Sequence, residues 1–213
     1  MAAQCRSIRL VTNITAIMNT LHYRIILASN SPRRKQLLQA LDIPFEVRTM
    51  KDIDEHYPED ISTEDIPLFL SKKKAEAYRP TLSQNELLIT ADTIVVCNGK
   101  VLGKPCNAEE AHSMLSLLSG RQHHVITGVA LTTTEQQTAF TADTVVTFAQ
   151  LTTAEIDYYI THYKPFDKAG AYGIQEWIGH TAITQVNGSY FNVVGLPVAR
   201  LFEELKHFGA ISV

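Results

Sequence analysis

The stretch Arg24-Ile-Ile-Leu-Ala-Ser-Asn-Ser-Pro-Arg-Arg-Lys-Gln-Leu-Leu38 constrains the fold more than any other part of this chain. An apolar run suited to a strand leads into a helix whose start is marked twice. Ser31 suits the N-cap, where its hydroxyl satisfies a first-turn N–H, and Pro32 suits the first helical position, where its missing N–H costs nothing. The free N–H groups of that turn face outward at the positive end of the helix, and Arg33 or Arg34 can add a forked grip on an anion. On this segment alone, a capped surface helix with solvated arginines is an equal reading.

Elements of both kinds alternate along the rest of the chain. Runs rich in Ile, Val and Thr at 24–29, 87–97, 124–132 and 143–149 read as strands. Three- and four-residue apolar spacings at 32–41, 63–78, 108–118, 153–162 and 196–207 read as helices, as with Ala111, Met114, Leu115 and Leu118. Ser62-Thr63-Glu64-Asp65, and Thr153 with Asp157, place hydroxyls and acids at helix starts. The segment 131–140 is expected to be a polar hairpin tip. After Lys164 the glycines of Lys-Pro-Phe-Asp-Lys-Ala-Gly-Ala-Tyr-Gly-Ile-Gln predict an irregular loop of the sort that serves a site. The expected fold is α/β with a mixed sheet flanked by helices. It begins near Thr20 as one domain over 20–213, and residues 1–19 form an extension of which 1–17, ahead of Met18, are expected to be dispensable.

With 45% hydrophobic residues in 213, the chain has material for a real core. A formal charge of −3 without a basic stripe excludes an electrostatic footprint for nucleic acid or an anionic membrane, so any phosphate site has to be local. No apolar run approaches the length of a membrane span. Cys5, Cys97 and Cys106 are few and unevenly spaced, which argues against a disulfide framework or a zinc site and fits a reducing cytoplasm.

Asp92, in Ala-Asp-Thr, interrupts the apolar run Leu87–Val96, and ionised acids are rarely buried without a partner or metal. A second Ala-Asp-Thr at 142–144 serves as a control, because Asp143 is expected merely to open an alternating strand. Only the first is followed by Gly103-Lys104-Pro105, which brings a lysine back toward the strand. Asp54 and Glu55 in a polar stretch, and Lys72, Lys73 and Lys74 on the next helix, read singly as solvated groups. Together, acids, lysines and a helix N-terminus are what magnesium-assisted phosphoanhydride chemistry requires. His123 and His124 lack an accompanying Cys/His pattern, and a structural hydrogen-bonding role is favoured for them.

Five separated segments, in order, resemble the Maf (septum formation protein) family of nucleoside triphosphate pyrophosphatases: Leu27–Leu38, Ala91–Thr93 with Gly103–Pro105, Leu118–Gly120 with His123, Lys164–Gln175, and Gly188–Pro197. The resemblance covers residues 24–208. It implies hydrolysis of a nucleoside triphosphate to monophosphate and pyrophosphate with a divalent cation, Mg2+ or Mn2+. The implied setting is a cleft between two lobes of an elongated, ITPase-like α/β fold. The family's proton acceptor falls on Asp92 and its base-selecting residues on Arg33, Thr93 and Gln175. Phosphate contacts fall on Ser29, Lys74, Lys104 and Lys168, joined by Arg34 of the capped helix. Metal contacts fall on Glu55 and Asp92, with Asp54 a rival to Glu55.

Ser-Pro-Arg-Arg, Ala-Asp-Thr and Ala-Tyr-Gly-Ile-Gln look like the branch acting on dTTP and UTP, not the branch acting on 7-methyl-GTP. A Gln amide offers a pyrimidine edge both a donor and an acceptor, whereas a Glu carboxylate only accepts. A nucleotide-binding regulator of division without turnover is the competing class, and assembly as a homodimer stays open.

Overall fold

The computed structural model describes residues 20–212; the expected extension lies outside them. The chain opens with strand β1 (Thr20–Leu21), strand β2 (Arg24–Leu27), helix α1 (Pro32–Gln39), strand β3 (Phe45–Val47) and helix α2 (Ile66–Tyr78). Strands β4 (Glu86–Cys97) and β5 (Lys100–Leu102), helix α3 (Ala108–Leu118) and the hairpin β6 (Gln122–Thr132) and β7 (Gln137–Phe148) follow. The chain closes with α4 (Thr153–Tyr163), α5 (Trp177–Ala182), β8 (Ile183–Asn187), α6 (Tyr190–Val194), α7 (Val198–His207) and β9 (Ile211–Ser212).

One seven-stranded sheet runs β3-β2-β4-β6-β7-β8, with β5 paired to β4, while β1 and β9 pair separately. The first three strands are parallel and the rest antiparallel, which is the expected mixed α/β sheet. The parallel part is covered on both faces. Ile25, Ile26, Leu27, Leu87, Leu88 and Ile89 are all buried, so their run carries no alternation. β7 alternates over its second half, burying Thr144, Val146 and Phe148 and leaving Asp143, Val145 and Thr147 exposed or half-buried.

Strand β4 divides the core by its pleat. On one face Ile89 and Ala91 join a cluster with α1 and α7, and Val95 and Cys97 join another with α3 and α4. Between them stands the polar pair Thr93 and Thr127, directly opposed in the β4–β6 register. The other face is crossed by α2: Leu88 packs with Ala75 and Tyr78, and Ile94 with Ile66 and Leu70. Between those contacts lie Thr90, whose hydroxyl donates to the Ser71 carbonyl, and Asp92. Both polar breaks fall at the middle of the same strand, and this is where a cleft opens.

Several expected boundaries move for local reasons. Helix 32–41 ends at Gln39 because the chain turns at Asp42, whose φ is 54°. The start of 63–78 is a 3-10 turn, Thr63–Asp65, before α2. The helix expected from 196 begins at Val198, after Pro197. The strand expected from 143 begins at Gln137, since its pairing with β6 runs to the tip; the hairpin loop is therefore only 133–136, and Asp143 lies mid-strand instead of opening it. The α4 cap is Thr152 with Glu155 in a reciprocal capping box, not Thr153 with Asp157.

Gly128, opposite Asp92, is where α2 sits down on the sheet. A Cβ there would lie 2.3 Å from the Pro67 carbonyl carbon. Gly128→Ala should therefore lift α2 and lower stability by about 3 kcal/mol, the upper end of overpacking costs. Denaturant melts measure that loss. Activity should fall beyond it, since α2 carries Lys74.

Candidate active site

The β2–α1 turn forms as its caps dictate. Ser29 Oγ accepts the Ser31 N–H at 3.1 Å, the Ser31 side chain accepts from the Arg34 N–H, and Pro32 leads the helix. The two arginines diverge from that turn. Arg33 crosses to the loop after α4, with Nη1 donating to Asp167 Oδ2 at 2.6 Å. Arg34 turns inward, Nε donating to the Gly195 carbonyl at 2.8 Å and Nη2 to Thr93 Oγ1 at 2.9 Å. Burial lowers the Arg34 pKa and the nearby Asp92 charge opposes that. Gly195 adopts φ 129°, a conformation an L side chain resists, and so presents its carbonyl to the guanidinium. Thr93 Oγ1 lies 3.0 Å from Thr127 Oγ1, completing a chain from turn to sheet.

On the α2 face, Lys74 Nζ stands between two carboxylates, 2.6 Å from Asp92 Oδ1 and 2.8 Å from Glu55 Oε1. Burial opposes ionisation of Glu55. The hydrogen bond and charge of Lys74, with Lys104 and Arg34 beyond, outweigh it and hold the carboxyl below its usual range. Asp54 faces the other way, to Lys73 Nζ at 2.6 Å, and Lys73 also donates to the His56 carbonyl at 2.7 Å. Lys73 thus grips the residues on either side of Glu55 and aims Glu55 at Lys74. Lys72 stays exposed.

Ser29, Arg33, Arg34, Glu55, Lys74, Thr93, Lys104, Lys168 and Gln175 all line one cavity of about 510 Å³, a size suited to a small-molecule ligand. Asp92 is absent from that wall and sits behind Lys74, joined to the cavity through it. Lys104 is exposed and makes no ion pair among the described residues, whereas Lys168 is buried between Asp167 Oδ1 at 2.8 Å and Glu176 Oε1 at 3.0 Å. Burial works against the Asp167 charge, but Lys168 and Arg33 prevail and bring its pKa down to about 2. No group of three or more His, Cys, Asp or Glu gathers among the described residues. Two carboxylates converging on one ammonium still suit a Mg2+-type ion, which takes one or two carboxylates and completes its shell from water and phosphate oxygens.

The control residue Asp143 lies outside the cavity, exposed and paired with His124 at 2.8 Å. His123 is buried, with Nε2 2.8 Å from the hydroxyl of Tyr172, a residue of the cavity wall. Asp167, Glu176, Tyr172 and Asn192 were not predicted from the sequence. Asn192 donates to the Val125 carbonyl, the Ala142 carbonyl and Thr144 Oγ1, which anchors α6 to the sheet beneath Gly195. Three of these left a faint signal in the sequence: an acid beside Lys168, an acid beside Gln175, and an Asn three residues after a Ser.

The sequence profile described as Maf-like protein matches residues 24–208. The chain belongs to the Maf-like protein family. A dTTP/UTP pyrophosphatase of Phocaeicola vulgatus is 59% identical over 184 residues, covering 86% of this chain and 95% of that one. Another of that name, from Parabacteroides distasonis, is 55% identical over 190 residues, covering 89% and 98%. Among solved structures, a HAM1 protein from Coxiella burnetii aligns with a TM-score of 0.40 at 14% identity, covering 61% of this chain and 74% of that one. This Maf-like protein is a hydrolase of phosphoanhydride bonds, and among its described residues no helix is long and apolar enough to cross a membrane.

His123 provides a pH test of the site's scaffold. Burial, with His124 adding, pushes its pKa down to about 4 from 6.5. The unfolded chain therefore binds this proton first, and stability falls as pH drops from about 6.5 to about 4, by roughly 3 kcal/mol in all. Urea melts across that range should show His123→Gln losing this part of the slope while turnover at pH 8 stays within about threefold, as for a residue outside the chemistry.

Proposed function

We propose that this Maf-like protein hydrolyses dTTP and UTP to the monophosphate and pyrophosphate. The observation that carries the reading is the convergence of Glu55, Lys74 and Asp92 beside a cavity that opens on the N-terminus of α1. The names of the two relatives support the choice of substrate.

In this reading the triphosphate lies between the first turn of α1 and Lys104, which lines the cavity and makes no ion pair among the described residues. Ser29, Arg34, Lys74 and Lys168, all on the cavity wall, supply further phosphate contacts. The base points to Arg33, Thr93 and Gln175. The Gln175 side chain is exposed and makes no hydrogen bond among the described residues, so its amide is free to pair with a pyrimidine edge. Asp92 and Glu55 are the residues that would hold Mg2+ or Mn2+. Such an ion, when bound, offsets phosphate charge and makes water more acidic.

Water attacks the α-phosphorus, its proton passes to an Asp92 carboxylate oxygen, and the bond from the α-phosphorus to the bridging oxygen breaks to release pyrophosphate. Lys74 has to release Asp92 for this. Its long stem allows the ammonium to follow the incoming phosphate and leave the carboxylate free. The free Cys97 and Cys106 suit a reducing cytoplasm as the compartment.

Anion-exchange analysis of the products should find pyrophosphate and monophosphate in equal amounts, with turnover abolished by EDTA. Orthophosphate as the only direct product overturns the reading, and tight dTTP binding without product favours a regulator instead. Asp92→Asn should cut turnover by a factor on the order of 10²–10⁴. Asp143→Asn is the matched control and should leave it unchanged.

Gln175→Glu should lower kcat/KM for dTTP and UTP by about tenfold or more, while inhibition by pyrophosphate changes little, because a carboxylate cannot donate to the base. An equal fall in pyrophosphate affinity would show that Gln175 supports the loop and does not read the base.

A further inference from the structure

The loop that carries Lys168 and Gln175 is closed around a carboxylate that the proposed reaction leaves unused. Glu176 has a side chain only 20% exposed, and it reaches back beneath the loop. Oε1 accepts from Lys168 Nζ at 3.0 Å, and Oε2 accepts from the hydroxyl of Tyr159, a fully buried residue of α4. The Tyr159 oxygen accepts in turn the Gly173 N–H at 3.0 Å. Burial, reinforced by the Glu176 carboxylate, raises the pKa of the Tyr159 phenol, so it remains a donor.

The backbone of Glu176 is held as well. Its N–H donates to the Gly173 carbonyl at 3.0 Å, and its own carbonyl accepts the Gly179 N–H at 2.9 Å in the first turn of α5. There is no slack inside the loop: a Cβ on Gly173 would lie 2.9 Å from Glu176 Cδ and 3.0 Å from Lys168 Cε. A carboxylate in such a place costs stability unless it is paired, and here an ammonium and a hydroxyl satisfy it. Gln175, one residue earlier, has no protein partner of its own among the described residues, so its direction comes from the backbone that this clasp fixes.

We infer that Glu176, held between Tyr159 and Lys168, is a positioning residue for pyrimidine selection, fixing Gln175 against the cavity. This rests on the base-reading role proposed for Gln175. A site that discriminates by hydrogen bonds does so only if its polar groups are held at the geometry of the right base, because the wrong base is rejected by leaving them unpaired.

The test compares kcat/KM for dTTP and dCTP in the wild type, Glu176→Ala, Tyr159→Phe and Glu176→Gln, with melting temperatures recorded alongside. Glu176→Ala and Tyr159→Phe should lower the dTTP preference by about tenfold. Glu176→Gln, whose amide oxygen still accepts from Tyr159 while its NH2 turns to Lys168, should recover part of it. Tyr159→Phe removes a single oxygen and carries the test if Glu176→Ala does not fold. An unchanged preference in these variants, whether or not all substrates decline together, reduces the clasp to a structural support and overturns the inference while the function stands. A wild type that releases pyrophosphate without preferring dTTP overturns the base-reading role of Gln175, and the inference with it.

Discussion

A carboxylate in the middle of an apolar strand has to be paired, and the pairing of Asp92 with Lys74 organises the rest of the site. Asp92 lies between Thr90 and Ile94 on the face of β4 that α2 covers. Only a long side chain from that helix can reach it without opening the core. Lys74 does so from a helix seated against a glycine, and the same ammonium draws in Glu55 from a loop with no regular structure of its own. The Coulomb attraction in this half-buried setting exceeds what a surface pair would give. Lys74 therefore ties strand, helix and loop together, with Lys73 holding the loop on either side of Glu55.

The two faces of β4 divide the labour. Asp92 points to the α2 face and Thr93 to the opposite one, where Arg34 and Thr127 meet it. Adjacent residues on a strand always diverge in this way. The chemistry proposed for Asp92 and the selection proposed for Thr93 are thus separated by the thickness of a sheet yet adjacent in sequence. A ligand that engages both has to lie across the strand where the polar break interrupts the apolar clusters.

Much of this could be read in the sequence where the governing physics is local. The Ser31-Pro32 start of α1, the limits of α3 and the structural use of His123 followed from capping, periodicity and the missing metal pattern. Local reasoning also erred where two readings look alike: Gln137 to Phe140 belongs to a strand but continues the polar run Thr132–Gln136 closely enough to pass for part of a turn. Strands β3, β5 and β8 and helices α5 and α6 are too short to show a period. The choice between Asp54 and Glu55 was illegible, because neighbouring acids in a loop differ only in where the backbone aims them. Tyr159 and Glu176 meet only once α4 packs beneath the loop.

The bond between Arg34 and Thr93 bears on how such a site can change over generations. Replacing Thr93 by a residue without a hydroxyl removes one of the two acceptors that hold the part-buried Arg34 guanidinium, and a change at Arg34 withdraws support from Gly195 and from the capped turn at once. These positions drift only as a set. Gln175, exposed and without a hydrogen bond among the described residues, is under no such joint constraint. Novelty in substrate choice is most accessible from that one position, while the wall opposite stays under joint constraint.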